Sequence, residues 1–76
     1  MKVSDHEKQL ILIIDEQVQL LLSKGADDLT IVNTLIEFTA EARCLMDSID
    51  ESELDEYLNR YKNFAYYVSL LEQAMN

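Results

Sequence analysis

The sequence predicts an all-α protein, and three observations carry that prediction. The 76 residues contain no proline and one glycine. Leu, Glu, Gln, Lys and Ala, all good helix formers, are abundant. Apolar residues recur at steps of three and four, the period of a buried helical face and not that of a strand. The expected architecture is a three-helix antiparallel bundle, with helices near 4–24, 28–48 and 52–74, in a single domain over 1–76.

A chain of this length is near the size at which one core is only marginally stabilising, so disulfides, metals or oligomerisation commonly supplement it. Cys44 is the only cysteine, which excludes an internal disulfide. With His6 the only histidine, too few soft ligands remain for a structural zinc. Helix packing or self-association has to supply the stability.

The first helix is expected to begin at Ser4, because Ser4-Asp-His-Glu7 has capping-box spacing. Its stop is Gly25, which follows Lys24, a cation suited to a helix C-terminus. Between them, Leu10, Ile11, Ile13, Ile14, Val18, Leu20, Leu21 and Leu22 cover roughly 200° of a helical projection, against about 100° for an ordinary surface helix. Asp15, Glu16 and Gln19 are expected on the opposite face, with Leu12 intruding. So wide an apolar sector places this helix at the centre of the bundle and leaves surface for a second copy of the chain. Leu10, Ile13, Ile14, Leu20 and Leu21 are the expected interface residues of a homodimer.

The second helix is expected to start at Asp27 or Asp28, either of which can cap. Ile31, Leu35, Phe38, Ala42, Leu45 and Ile49 then form a seam, widened by Val32, Ile36 and Met46. A third helix would bury Leu54, Leu58, Tyr61, Ala65 and Val68, flanked by Tyr57, Phe64, Leu71 and Met75. The segment 46–52 has neither glycine nor proline, so a turn there competes with one continuous helix. A turn is favoured, because Asp50 or Ser52 offers a cap and the acids that follow suit a first turn. On this pattern Leu35→Asp or Leu58→Asp unfolds the chain, and Leu12→Asp is tolerated unless Leu12 lies in an interface.

Fifteen acidic residues against six basic ones give a formal charge of −9. That disfavours direct nucleic-acid binding and suits a basic protein partner or plain solubility. The start of the chain lacks the pattern of a secretory signal, and the longest apolar run, Leu10 to Ile14, is far short of the ~20 residues needed to span a bilayer. A cytoplasmic location without membrane contact is expected.

Asp47, Asp50, Glu51, Glu53, Asp55 and Glu56 form an acidic cluster. It lacks the glycine and ligand spacing of a calcium loop, and is read either as a solvated helix start or as a docking patch for a basic partner. Tyr66 and Tyr67 are candidate aromatic contacts, because tyrosine suits surfaces where one end stays wet. His6 reads as an exposed helix residue and Cys44 as a small core or boundary residue. With no phosphate loop, no nucleophile and base pairing and no metal motif, no catalytic, cofactor-binding or metal-binding residue is assigned. The chain is not expected to be an enzyme.

The run Leu20-Leu-Leu-Ser-Lys-Gly25, a short Asp-containing turn, and Ile31-Val-Asn-Thr-Leu-Ile-Glu37 resemble the small enterobacterial biofilm and acid-stress regulators of the YmgB/AriR type. The similarity covers residues 7–42, and the acidic junction and tyrosine-rich third helix lie outside it. It implies a three-helix protomer that dimerises and acts as a non-enzymatic connector in bacterial stress or biofilm signalling. Two functions are therefore expected. The first is an acidic regulator or adaptor working as a homodimer through protein–protein contact. The alternative is a phage- or plasmid-type inhibitor or immunity protein whose acidic face blocks a basic site on a nucleic-acid enzyme.

Overall fold

The computed structural model describes residues 3–74. Among these residues there is no strand, and the chain forms five helices: α1 (Asp5–Ser23), α2 (Asp28–Thr34), α3 (Ile36–Ser48), α4 (Glu51–Arg60) and α5 (Lys62–Ala74). Met75, assigned to the flank of the third seam, lies outside the described residues.

Local chemistry sets both ends of α1. Ser4 Oγ accepts the Glu7 N–H at 3.2 Å, and the Glu7 carboxylate accepts the Ser4 N–H at 2.9 Å, so two orphan donors are satisfied reciprocally. At the other end Gly25 has φ +79°, and the Gly25 and Ala26 N–H groups donate to the carbonyls of Leu22 and Leu21. This is the crossed pair of bonds of a Schellman close, which favours glycine at the left-handed position. Asp27 then caps α2, its Oδ1 taking the Thr30 N–H at 2.9 Å. Between α3 and α4 the chain turns through Ile49 and Asp50, both extended, with ψ of 144° and 141°.

Two interruptions divide the second and third expected helices, at Leu35 and Tyr61. Neither carries glycine or proline, and both are stabilised from elsewhere in the chain. At Tyr61, with φ −112° and ψ 87°, the helix restarts because Asp15 Oδ1 of α1 accepts the Phe64 N–H at 2.8 Å. Asp15 is thus a cap supplied across 49 residues of sequence. At Leu35 the carbonyl accepts the Phe38 N–H and also the Tyr67 hydroxyl, at 3.3 Å. With the Tyr67 proton directed at Leu35, the Thr39 hydroxyl, 3.1 Å away, donates to the Tyr67 oxygen.

The core gathers Ile11, Ile14 and Val18 from α1, Ile31 and Leu35 from the α2 region, Ala42 and Leu45 from α3, and Phe64, Tyr67, Val68 and Leu71 from α5. The central helix is α5, which packs on α1, α2 and α4; α1 packs on α5 and α3. The breadth of its apolar sector had suggested α1 for that place. Asp15, expected on the solvent side, sits on the flank of the buried stripe, half-buried, where it reaches α5. The radius of gyration, 11.7 Å, matches the roughly 11 Å of a chain this long folded around one core.

Candidate functional site

No group of three or more His, Cys, Asp or Glu among the described residues could hold a metal ion. Among the same residues, no helix is long and apolar enough to cross a membrane. What the fold does present is a set of surfaces.

The outer face of α1 is the first. Leu12, Ile13, Leu20 and Leu22 remain 40–48 % exposed, while Ile11 and Ile14, one helical position away from Leu12 and Ile13, are closed in the core. Glu16, Gln17 and Gln19 lie exposed around Leu12, Ile13 and Leu20, and half-buried Asp15 lies between Leu12 and Leu22, so from Leu12 to Leu22 the helix carries two carboxylates, Asp15 and Glu16. Of the five residues expected at an interface, Ile13 and Leu20 lie on this face and Leu21 is half-buried. Leu10 and Ile14 do not: at 6 % and 0 % exposure they pack against their own chain. A projection of α1 alone overestimates the free sector, because α3 and α5 cover it from two sides.

The second is a groove of about 340 Å³ between the start of α1 and α3, floored by Leu10 and Leu45. His6 and Glu41 face each other across it at 3.7 Å, and exposed Cys44 lies along it. Both charged groups are well exposed, so the pair contributes little even with the imidazole protonated. Ser4 holds the Glu7 carboxyl, at the groove's edge, below the ordinary carboxylate range through hydrogen bonds to that carboxylate.

The acidic cluster spreads over the end of α3, the turn that follows and the first part of α4, as far as Glu56. Asp47, Asp50, Glu51, Asp55 and Glu56 are exposed; Glu53 is half-buried, with one carboxylate oxygen enclosed. Glu51 and Glu53 occupy the first turn of α4, where the helix dipole favours them. Glu56 pairs loosely with Arg60 at 4.0 Å. No α4 residue is fully buried, so the helix is held only by half-buried Leu54, Tyr57 and Leu58, with Tyr57 stacked on Tyr61.

The two candidate tyrosines separate. Tyr67 is fully buried and belongs to the core, its phenol pushed up by loss of solvation against the opposing influence of Thr39 and Arg43. It is therefore unavailable to a partner. Tyr66 is 38 % exposed, and its hydroxyl donates to the Asp28 carboxylate, which raises the phenol's pKa.

Asp28 and Tyr66 border a surface that periodicity alone did not single out. Leu29 and Ile36 are the most exposed large apolar residues described, at 68 % and 65 %. With half-buried Val32 they run at i, i+3 and i+7 beside a groove of about 300 Å³, lined by Asp28, Leu29, Val32, Leu70 and Gln73. The spacing was present in the sequence. Period assigned Ile31 and Leu35 to the buried seam, where they lie, but also widened that seam with Val32 and Ile36, and the packing leaves Val32 half-buried and Ile36 outside it.

Compared with protein-family models, curated proteins and solved structures, the chain matches none of them. A functional reading therefore rests on these surfaces.

Proposed function

We propose that this chain is a non-enzymatic acidic regulator or adaptor that works in the cytoplasm by protein–protein contact, as a homodimer joined through α1. The observation that carries the proposal is the outer surface of α1, where four large aliphatic side chains stay exposed with only exposed Glu16 and half-buried Asp15 as charges between Leu12 and Leu22. For a chain of charge −9, that is a face two copies can bring together with little like-charge repulsion. Ile13 and Leu20, seven residues apart, set the seam of a paired helix. The resemblance to biofilm and acid-stress connectors supplies a setting in bacterial stress signalling.

Light scattering after size exclusion tests the reading. The native chain should have the mass of two copies at tens of micromolar, and Ile13→Ser with Leu20→Ser should have the mass of one, with an unchanged helical signal. A native chain that stays strictly monomeric overturns the dimer.

The exposed acids of the α3–α4 junction favour a second reading, an inhibitor whose acidic face occupies a basic site on a nucleic-acid enzyme. Under it, the native chain inhibits such an enzyme and a variant with Asp50→Lys, Glu51→Lys, Glu53→Lys and Asp55→Lys does not. Equal inhibition by both rejects the acidic face.

A further inference from the structure

We infer that the α2–α3 outer seam is a second docking surface, fitted to a short amphipathic helix of a partner protein whose flanks are basic. This rests on the adaptor reading, and names the class of partner such an adaptor would carry.

Leu29 and Val32 stand one turn apart on α2, and Ile36 opens α3 just past the Leu35 interruption, so an apolar strip crosses the α2–α3 joint where the apolar stripe of a partner helix can seat. Leu70 floors the groove beside them, and the Asp28–Tyr66 hydrogen bond closes its edge by tying α2 to α5. Leu29 to Ile36 spans about two helical turns, so a partner segment of three or four turns covers it. The surrounding charge selects the partner. Asp27 and Asp28 stand at one end and Glu37 beside Ile36, all exposed, while Arg43 is the one base that follows on the same side of α3. Hydrogen bonding to Thr30 keeps Asp27 ionised to lower pH than an ordinary aspartate. Three carboxylates against one guanidinium match a helix with lysine or arginine flanking its apolar stripe.

Self-pairing is the main competitor, because an antiparallel pair would set Asp28 of each copy near Arg43 of the other. It would leave the remaining acids of both copies facing like charge, and the α1 face offers two copies a contact without that cost. Anionic lipid and nucleic acid are disfavoured by the same carboxylates.

The probe is a Leu/Lys amphipathic helix of about 18 residues, five turns, with leucine at heptad spacing. A Leu/Glu peptide of identical apolar face and a Ser/Lys peptide of identical charge serve as controls. Titration of the full chain, followed by its amide NMR shifts, should show the Leu/Lys helix binding with shifts at Leu29, Val32, Ile36, Leu70 and Gln73. Neither control should bind there. Leu29→Ser with Ile36→Ser, both at exposed positions, should weaken binding by about tenfold or more without loss of helical signal.

Equal binding by the Ser/Lys peptide, unchanged binding by the double variant, or shifts confined to α1 or the acidic junction overturns the proposal. So does conversion of a native dimer to a monomer by Leu29→Ser with Ile36→Ser, which assigns the seam to a second copy. Failure of the α1 dimer reads out separately, in the mass of Ile13→Ser with Leu20→Ser, whose peptide binding should be unaltered.

Discussion

Helices α1 and α5 are both rich in apolar residues, yet they hold opposite positions in the molecule. On α1, Leu10, Ile11, Ile14 and Val18 are buried while Leu12, Ile13, Leu20 and Leu22 are exposed; on α5, Phe64, Tyr67, Val68, Leu70 and Leu71 are all buried and only Tyr66 among the large apolar side chains is exposed. The difference is one of neighbours. Helix α5 lies among α1, α2 and α4, so almost any apolar residue on it meets a packing partner. Helix α1 packs on α5 and α3, and its remaining surface faces solvent. An apolar sector wider than the covered side remains as surface, and a surface is where function has to be sought.

Paired substitutions can break this comparison. Ile14→Asp and Ile13→Asp place the same charge on adjacent residues of α1, one fully buried and the other 42 % exposed. Ile14→Asp should unfold the chain, a loss above about 4 kcal/mol, because the carboxylate has no partner in the core. Ile13→Asp should keep the native circular dichroism and change only the mass in solution. Equal destabilisation by both would remove the distinction between the two faces of α1.

On α5, Phe64→Ala should cost about 3–5 kcal/mol in chemical denaturation, as expected for a fully buried aromatic ring. Asp15→Ala acts on the contact between the two helices, where it leaves the Phe64 N–H without its acceptor. A loss of about 1–3 kcal/mol is expected, with faster amide exchange at Phe64, and Asp15→Asn should recover part of it because an acceptor oxygen remains. Tyr67→Phe keeps the ring buried and removes only its hydrogen bonds to Leu35 and Thr39, so about 1 kcal/mol should be lost.

The smallest expected effect is a pH dependence. Glu7 and Asp27 are held below their ordinary values by cap hydrogen bonds to Ser4 and Thr30. A carboxyl depressed in the folded state stabilises it above its unfolded value and ceases to do so as pH falls through the depressed one. Thermal unfolding followed downward through the carboxylate range should therefore show modest destabilisation, and Glu7→Gln, which removes the titrating group, should remove the Glu7 share. A pH response undiminished by Glu7→Gln would assign it to other acids.

Much of the fold was legible in the chain because its signals are local. The Ser4–Glu7 box, the Gly25 close and the Asp27 cap each involve groups a few residues apart. The seam through Ile31, Leu35, Phe38, Ala42, Leu45 and Ile49 likewise follows from helical period, and all but half-buried Phe38 are buried. Leu12, placed on the polar side by the same argument, is 41 % exposed, but Ile13, placed in the apolar sector, is 42 % exposed, so period did not separate the two. Leu58 is only half-buried, so Leu58→Asp should be milder than Leu35→Asp, a ranking that period alone could not supply.

The sequence by itself determined the helical class, the cap at each end of α1 and the apolar stripe that begins the core, because propensity, capping and period act within a turn or two of chain. Only the tertiary structure decided where the second and third helices break. Those breaks are satisfied by Asp15 reaching Phe64 over 49 residues and Tyr67 reaching Leu35 over 32. It also decided that Ile36, which period had placed on the widened seam, stays in water with Leu29. A helix alone has no inside. Its neighbours assign one, and what they leave uncovered is the surface this protein presents to others.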